Sequence, residues 1–259
     1  AEAAASLMPG WCLIAMKEMR AYQWIALDEE SVTLQLSARR LPSGREVHVQ
    51  IHEAKAADEP SGTPAMPIVE GIMVFAEAYP EPPVVGASSL RQERPSKWSP
   101  DRLYEEAMFH GLAFRGVCSM DRVGEDGAEA TLEVLPLEGL FTLGAGQALF
   151  TDPVLLDQPG QVVGFWAAQL LEKGYLVFPF RLEALHLYGP LLPSHEQVKC
   201  RARIALVGEQ QMRSDLDIVR ADGRVWARFV GWEDRRFDLP RAFFHSLLSP
   251  RDAMLSEPW

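Results

Sequence analysis

Residues 152–171, which read DPVLLDQPGQVVGFWAAQLL, contain the longest apolar segment of the chain. Between Val154 and Leu171 the apolar side chains leave little polar surface on any side of a helix. A helix that is hydrophobic all round is buried in the protein interior. The sequence therefore predicts a long, buried helix over 154–171, with Gly174 as the residue that stops it.

Short segments of alternating polarity lie on both sides of this helix. Residues 32–39 place their apolar side chains on one face, and residues 45–52 repeat the pattern, which is typical of strands. Residues 41–44 and Asp222-Gly223 have the composition of hairpin turns. Further strands are predicted at 11–16, 68–79, 114–123, 128–135, 176–188, 198–207, 214–220 and 224–232.

A helix accompanied by several antiparallel strands is predicted twice along the chain. This pattern favours an α+β double hot-dog fold with two long buried helices, each wrapped by an antiparallel sheet. Residues 1–8 read as the last turns of the first helix, so we expect the chain to be a piece of a larger polypeptide. A proline-rich stretch at 80–100 separates the halves. The predicted domains are an N-terminally incomplete first hot dog, 1–97, and a second hot dog with an irregular tail, 98–259.

The composition excludes several classes of function. The formal net charge of −11 argues against sequence-independent nucleic-acid binding, because such binding depends on neutralising phosphates. No apolar run reaches the ~18 residues of a membrane span. The three cysteines, Cys12, Cys118 and Cys200, lack the spacing of zinc ligands, so no metal site is predicted. Their small number favours a reducing, cytoplasmic location.

Asp157 is the main candidate for chemistry. It is a carboxylate near the start of an otherwise apolar helix, and Gln161 lies four residues on, so both side chains share one helix face. Desolvation of such a carboxyl raises its pKa and suits it to general acid catalysis. The alternative is purely structural, since Asp is a preferred N-cap and Pro159 is tolerated in a first helical turn.

A second candidate stretch surrounds His110. This titratable residue is followed by Gly111 and flanked by two aromatic residues, Phe109 and Phe114. Gly111 and Gly116 permit close approach of the backbone to another group. The alternative is a histidine that packs at the start of the next strand and has no chemical role.

Two motifs resemble those of polyketide synthase dehydratase domains. Residues 152–161 resemble the family motif H-P-x-L-L-D-x-x-x-Q, and residues 109–116 resemble Y-x-Y-G-P-x-F-Q-G, which opens the family's second hot dog. The variants MFHG, GQVVGFW and GWEDRRF look most like dehydratase-like regions of iterative synthases of the polyunsaturated fatty acid, enediyne and glycolipid type. Asp152 replaces the motif's His, and His110 stands where Tyr is usual.

The resemblance implies an enzyme that removes water from a β-hydroxyacyl thioester to give an α,β-enoyl thioester. Its substrate would be carried on the phosphopantetheine arm of an acyl carrier protein, and the domain would need no cofactor of its own. In the family a His takes the α-proton and an Asp protonates the departing hydroxyl. By resemblance Asp157 is this acid, and Gln161 orients it. Substrate-binding positions are expected at His110, Gly111, Phe114 and Trp166.

The implied partners are an acyl carrier protein, neighbouring synthase domains and a second copy in a homodimer, with no nucleic acid and no membrane. No residue matches the histidine of the family motif H-x-x-x-G-x-x-x-x-P, so we expect that this histidine either lies upstream of Ala1 or is lacking from the domain. His48 and His52 lie in later strands and do not replace it. A catalytically inactive scaffold or acyl-chain-binding domain is therefore a second hypothesis. A stand-alone thioesterase or acyl-binding hot dog is a third, against which the two-part layout counts.

Overall fold

Within residues 1–25, 31–54, 66–140, 149–172 and 176–238, which the computed structural model describes, a long sheet packs against short helices and one long helix. The strands are β1 (Cys12–Ala21), β2 (Leu34–Arg40), β3 (Glu46–Glu53), β4 (Val69–Ala76), β5 (Val117–Gly124), β6 (Gly127–Glu133), β7 (Leu176–Leu187), β8 (Gln197–Val207), β9 (Gln211–Val219) and β10 (Val225–Phe237). The helices are α1 (Glu2–Ala5), α2 (Leu103–Glu106) and α3 (Pro153–Leu170), with 3-10 turns at Pro100–Arg102 and Leu112–Phe114.

The described strands form one continuous sheet in the order β2-β3-β4-β1-β7-β10-β9-β8-β6-β5. The two halves meet where β1 pairs antiparallel with β7, with Lys17 opposite Ala184. This pairing removes two edge strands that would otherwise present unpaired backbone groups. The predicted α+β double hot-dog fold is confirmed, with its two sheets merged into one. Of the two long helices predicted, the described residues contain one, α3, whereas α1 has four residues.

Helix α3 confirms the predicted buried helix and corrects its N-cap. Asp152 caps it, because its Oδ1 accepts a hydrogen bond from the Leu155 backbone nitrogen at 2.8 Å. Asp157 lies in the second turn, so its interpretation as the cap is wrong. Pro159 lies inside the helix rather than in its first turn. The predicted stop at Gly174 lies outside the described residues.

The first half of the sheet is covered less completely. In β3, Val47 and Val49 are buried, as their alternation predicts. In β2, by contrast, the apolar side chains of Leu34 and Leu36 are 40% and 46% exposed. Helix α1 lies over β2 and β3, but four residues of helix cannot cover a seven-residue strand.

The proline-rich segment between the halves runs along the second half. Val85 donates a backbone hydrogen bond to Gly223, and Val225 donates one to Pro83. The boundary between 97 and 98 stays a prediction, and the predicted tail beyond 238 lies outside the described residues. None of the described helices combines the length and hydrophobicity that crossing a bilayer demands.

Asp152→Ala should lower the free energy of unfolding by about 0.5–2 kcal/mol, because it removes the cap of α3. Asp152→Asn keeps a side-chain acceptor and should stay close to the unchanged protein. Urea denaturation followed by circular dichroism measures both variants. A larger loss for Asp157→Ala than for Asp152→Ala would contradict the assignment of the cap.

Candidate active site

A cavity of about 180 Å³ lies between α3, the segment that follows α2, and strands β7 and β10. Its wall is mostly apolar, with aromatic side chains such as Phe109, Phe178 and Trp232. Its polar lining residues are His110, Asp157, Gln161 and Asp234. An apolar cavity with a few convergent polar groups is the usual form of a small-molecule site.

Helix α3 places Asp157 and Gln161 on the same face, as their spacing predicts. Gln161 is 2% exposed, and its Nε2 donates to Asp157 Oδ2 at 2.7 Å and to the Phe114 carbonyl at 2.9 Å. Its Oε1 accepts a hydrogen bond from the Tyr104 hydroxyl at 2.6 Å. These contacts fix the orientation of the amide, so that its nitrogen faces the carboxyl group.

Tyr104 is anchored from both sides. Burial raises the pKa of Tyr104 above its ordinary value, so the hydroxyl keeps its proton and donates to Gln161. The same hydroxyl oxygen accepts a hydrogen bond from the Val117 backbone nitrogen at 2.9 Å. Val117 is the first residue of β5, so this chain of bonds ties α2, α3 and the sheet together.

His110 lies directly beside the carboxyl group of Asp157. Its Nε2 is 3.2 Å from Asp157 Oδ2, and its ring stacks on Phe109 with centroids 5.1 Å apart. Its backbone carbonyl accepts a hydrogen bond from Arg115 Nε at 2.9 Å. Strand β5 begins only at Val117, so His110 lies before the strand and not at its start.

The two contacts leave the carboxyl group with one oxygen available. Gln161 and His110 both approach Oδ2, whereas Oδ1 makes no hydrogen bond to any described residue. The Asp157 side chain is 38% exposed, so it lies at the mouth of the cavity and is only partly desolvated. The arrangement can present a proton on Oδ1 to a bound molecule while Oδ2 is held in place.

Of the other predicted substrate positions, two fall near the cavity and one does not. Phe114 contributes its carbonyl to Gln161, and its ring lies 6.4 Å from that of His110. Gly111 is exposed and follows His110 directly. Trp166 is 2% exposed, donates to the Gly124 carbonyl at 2.8 Å and is absent from the lining, so the structure gives it a core position instead.

The sequence predicts that Gly111 and Gly116 allow the backbone to approach another group closely, and the structure shows such an approach only at Gly116. A Cβ at Gly111 would meet nothing within 4 Å, and its φ of −68° suits any residue. A Cβ at Gly116 would overlap the side chain of Gln158, which donates from Nε2 to the Glu133 carbonyl at 2.9 Å. Gly116 therefore lets β5 pack directly on α3.

Two further residues of the site were not predicted as such. Tyr104 has no motif that marks it as the partner of Gln161. Asp234 is 2% exposed, and burial raises its pKa to about 7. The sequence pattern predicts a strand that ends at 232, whereas β10 continues to Phe237. Asp234 therefore lies on the strand and lines the cavity, whereas the predicted strand end would leave it beyond the sheet.

A search against protein families matches residues 81–240 to the polyketide synthase dehydratase N-terminal domain, which is more than half of the chain. The chain belongs to the polyketide synthase dehydratase family. The matched range includes both motif segments and all four polar residues of the cavity. No curated protein sequence matches this dehydratase.

Solved dehydratase domains share the fold of this family member at low sequence identity. The dehydratase domain of RzxB from Pseudomonas fluorescens is 18% identical with a TM-score of 0.61, over 85% of this chain and 75% of that one. A trans-AT domain from Brevibacillus brevis is 17% identical with a TM-score of 0.65, over 87% and 77%. The dehydratase domain of PpsC from Mycobacterium tuberculosis, solved with C12:1-CoA, is 17% identical with a TM-score of 0.62, over 91% and 81%.

Gly116→Ala should destabilise the domain by about 1–3 kcal/mol, because the added methyl group displaces Gln158. Gly111→Ala is the matched control and should change stability by less than about 0.5 kcal/mol. Thermal unfolding followed by calorimetry compares the two variants. Equal effects at the two positions would contradict the close packing of β5 on α3.

Proposed function

We propose that Asp157 is the general acid of this dehydratase and that His110 is its base. The substrate is a β-hydroxyacyl thioester on the phosphopantetheine arm of an acyl carrier protein, and the product is an α,β-enoyl thioester. The observation that carries the proposal is the 3.2 Å contact of His110 Nε2 with Asp157 Oδ2 inside an apolar cavity. An acid and a base that flank one carbon–carbon bond are what the elimination needs.

His110 and Asp157 each transfer one proton in every turnover: the reaction needs His110 to accept one from the substrate and Asp157 to donate one to it. His110 Nε2 takes a proton from carbon 2, the electrons of that bond form the double bond, and the C3–O bond breaks as Asp157 protonates the leaving hydroxyl to water. The imidazolium and the carboxylate then lie 3.2 Å apart as an ion pair, and proton exchange with water after the product leaves returns His110 to its neutral form and a proton to Oδ1 of the partly exposed Asp157.

The surroundings of the pair support these roles. Gln161 holds Oδ2 at 2.7 Å, which leaves Oδ1 as the oxygen that faces the substrate. Among the described residues that line the cavity, His110 is the only histidine. Acid–base chemistry of this kind requires no cofactor of the domain itself. The fold also holds an acyl thioester in PpsC, which was solved with C12:1-CoA.

The proposed partners follow from the substrate. A carrier protein must deliver the thioester, and neighbouring synthase domains must supply the β-hydroxyl group that is removed here. A second copy of the domain in a homodimer is a further proposed partner.

A second candidate function is an acyl-chain-binding domain without dehydratase activity. The apolar wall of the cavity favours it, because aromatic side chains such as Phe109, Phe178 and Trp232 suit an acyl chain whether or not the chain reacts. The two functions differ in one readout, because both bind the thioester but only the first releases water.

Asp157→Asn should lower the rate of water loss from a 3-hydroxyacyl pantetheine thioester by at least about a hundredfold, because the amide cannot act as an acid. Mass spectrometry follows the loss of water, and tryptophan fluorescence follows binding, which should persist. Asp101→Asn, on the exposed 3-10 turn, is the matched control and should leave the rate unchanged.

Substitutions of His110 separate a base from a positioning residue. Tyr, the residue usual in the family, can donate a hydrogen bond to Asp157 but cannot accept the α-proton. His110→Tyr and His110→Phe should therefore both abolish water loss. Activity retained by His110→Tyr would overturn the assignment of His110 as the base. Binding without water loss by the unchanged chain would leave the acyl-chain-binding function.

A further inference from the structure

Asp234 is a buried carboxyl group for which the proposed reaction has no use. It lines the same cavity as Asp157 and His110, yet it is 2% exposed whereas the Asp157 side chain is 38% exposed. Within this cavity Asp234 is therefore much more buried than Asp157. Its Oδ2 is buried and makes no hydrogen bond to any described residue.

A second unpaired polar group lies beside it. Trp232, two residues earlier on β10, lines the same cavity, and its buried indole nitrogen makes no hydrogen bond within the described structure. Burial has the largest effect on the pKa of Asp234, and the nearby indole acts in the opposite direction and lowers it, although no hydrogen bond of normal geometry forms between the two side chains. Buried polar groups are nearly always hydrogen-bonded, so two such groups facing one cavity point to a missing polar partner.

The charge state of Asp234 follows from its surroundings. On the neighbouring strands it pairs with Pro179 and Met212, which carry no charge. The ionisable groups that face the cavity from the described elements around it are Asp157 on α3 and His110. Burial therefore dominates and raises the pKa of Asp234 to about 7.

The neighbours of Asp234 along β10 do not compete for it. Glu233 pairs with Arg181 and Arg213, and Arg235 lies over the ring of Phe180. Below neutral pH the Asp234 carboxyl group is protonated and is a hydrogen-bond donor, as the Trp232 indole is at any pH.

Because Asp234 and Trp232 both donate hydrogen bonds into an apolar cavity, they favour a ligand that carries a hydrogen-bond acceptor there. A cationic group on the ligand would be repelled by the indole N–H, and a plain hydrocarbon chain would leave both donors unpaired. A hydroxyl or carbonyl oxygen accepts from both.

We propose that Asp234 and Trp232 bind an oxygen atom on the acyl chain beyond carbon 3, so that this domain prefers oxygenated acyl chains to plain hydrocarbon chains of equal length. The inference rests on the proposed function, because it takes the occupant of the cavity to be the acyl chain of a thioester. It adds a substrate class to that function. Asp234 is a specificity-determining residue in this account and takes no part in the proton transfers.

The test measures binding rather than turnover, so that it does not depend on the chemistry at Asp157. Acyl pantetheine thioesters without the 3-hydroxyl group are titrated into the full chain by calorimetry, as a series with a keto group at carbon 5, 7 or 9 and as the matched hydrocarbon chains. We expect about three- to tenfold tighter binding of one keto compound at pH 6, the effect of a typical hydrogen bond. The preference should weaken as the pH rises through about 7, because a carboxylate cannot donate and its charge repels the keto oxygen.

Variants of Asp234 separate this role from a structural one. Asp234→Asn keeps a donor, so it should keep the preference at both pH 6 and pH 8.5. Asp234→Leu should weaken it at pH 6 and make it independent of pH, and the exposed Asp101→Asn should behave like the unchanged chain. Equal affinity for keto and hydrocarbon chains at pH 6 would overturn this inference alone. Failure of every thioester to bind would overturn the proposed function as well.

Discussion

The side-chain amide of Gln161 is the contact on which the site depends. It holds Asp157 on the same helix and joins α3 to the carbonyl of Phe114 and to the hydroxyl of Tyr104, which in turn holds the first residue of β5. An amide has two donors and one acceptor group, and here each part has a defined partner. The carboxyl group of Asp157 is therefore held by the same bonds that lock the helix to the sheet, and its position is a property of the fold.

The dense packing around α3 sets the shape of the cavity. A Cβ at Gly160 would lie 2.9 Å from the Trp232 ring, and a Cβ at Gly164 would lie 2.8 Å from the Met108 methyl group. These glycines let two bulky lining side chains approach the helix closely. The cavity is consequently small, apolar and bounded by rigid elements, which is the environment in which a few polar groups exert a large effect.

The sequence predicted what periodicity and spacing encode. The apolar run of α3 and the strand alternation gave the fold class, and the four-residue spacing placed Asp157 and Gln161 on one face. Neither could distinguish a cap from an acid, because Asp suits both, and the structure shows that the cap is Asp152. Trp166 was predicted to bind substrate but lies in the core, because the sequence of a helix that is buried on all sides does not indicate which face lines a cavity. Asp234 was not predicted as a site residue because it lies among charged residues at the end of a strand.

The most direct measurement is a crystal structure of Asp157→Asn with a 3-hydroxyacyl pantetheine thioester bound, since this substitution preserves the shape of the side chain and blocks the reaction. The account predicts that the acyl chain occupies the cavity, with its 3-hydroxyl oxygen about 2.6–3.2 Å from the side chain at position 157 and carbon 2 facing His110 Nε2. A thioester that occupies the cavity with its 3-hydroxyl group out of reach of position 157, or whose acyl chain lies outside the cavity, would contradict it.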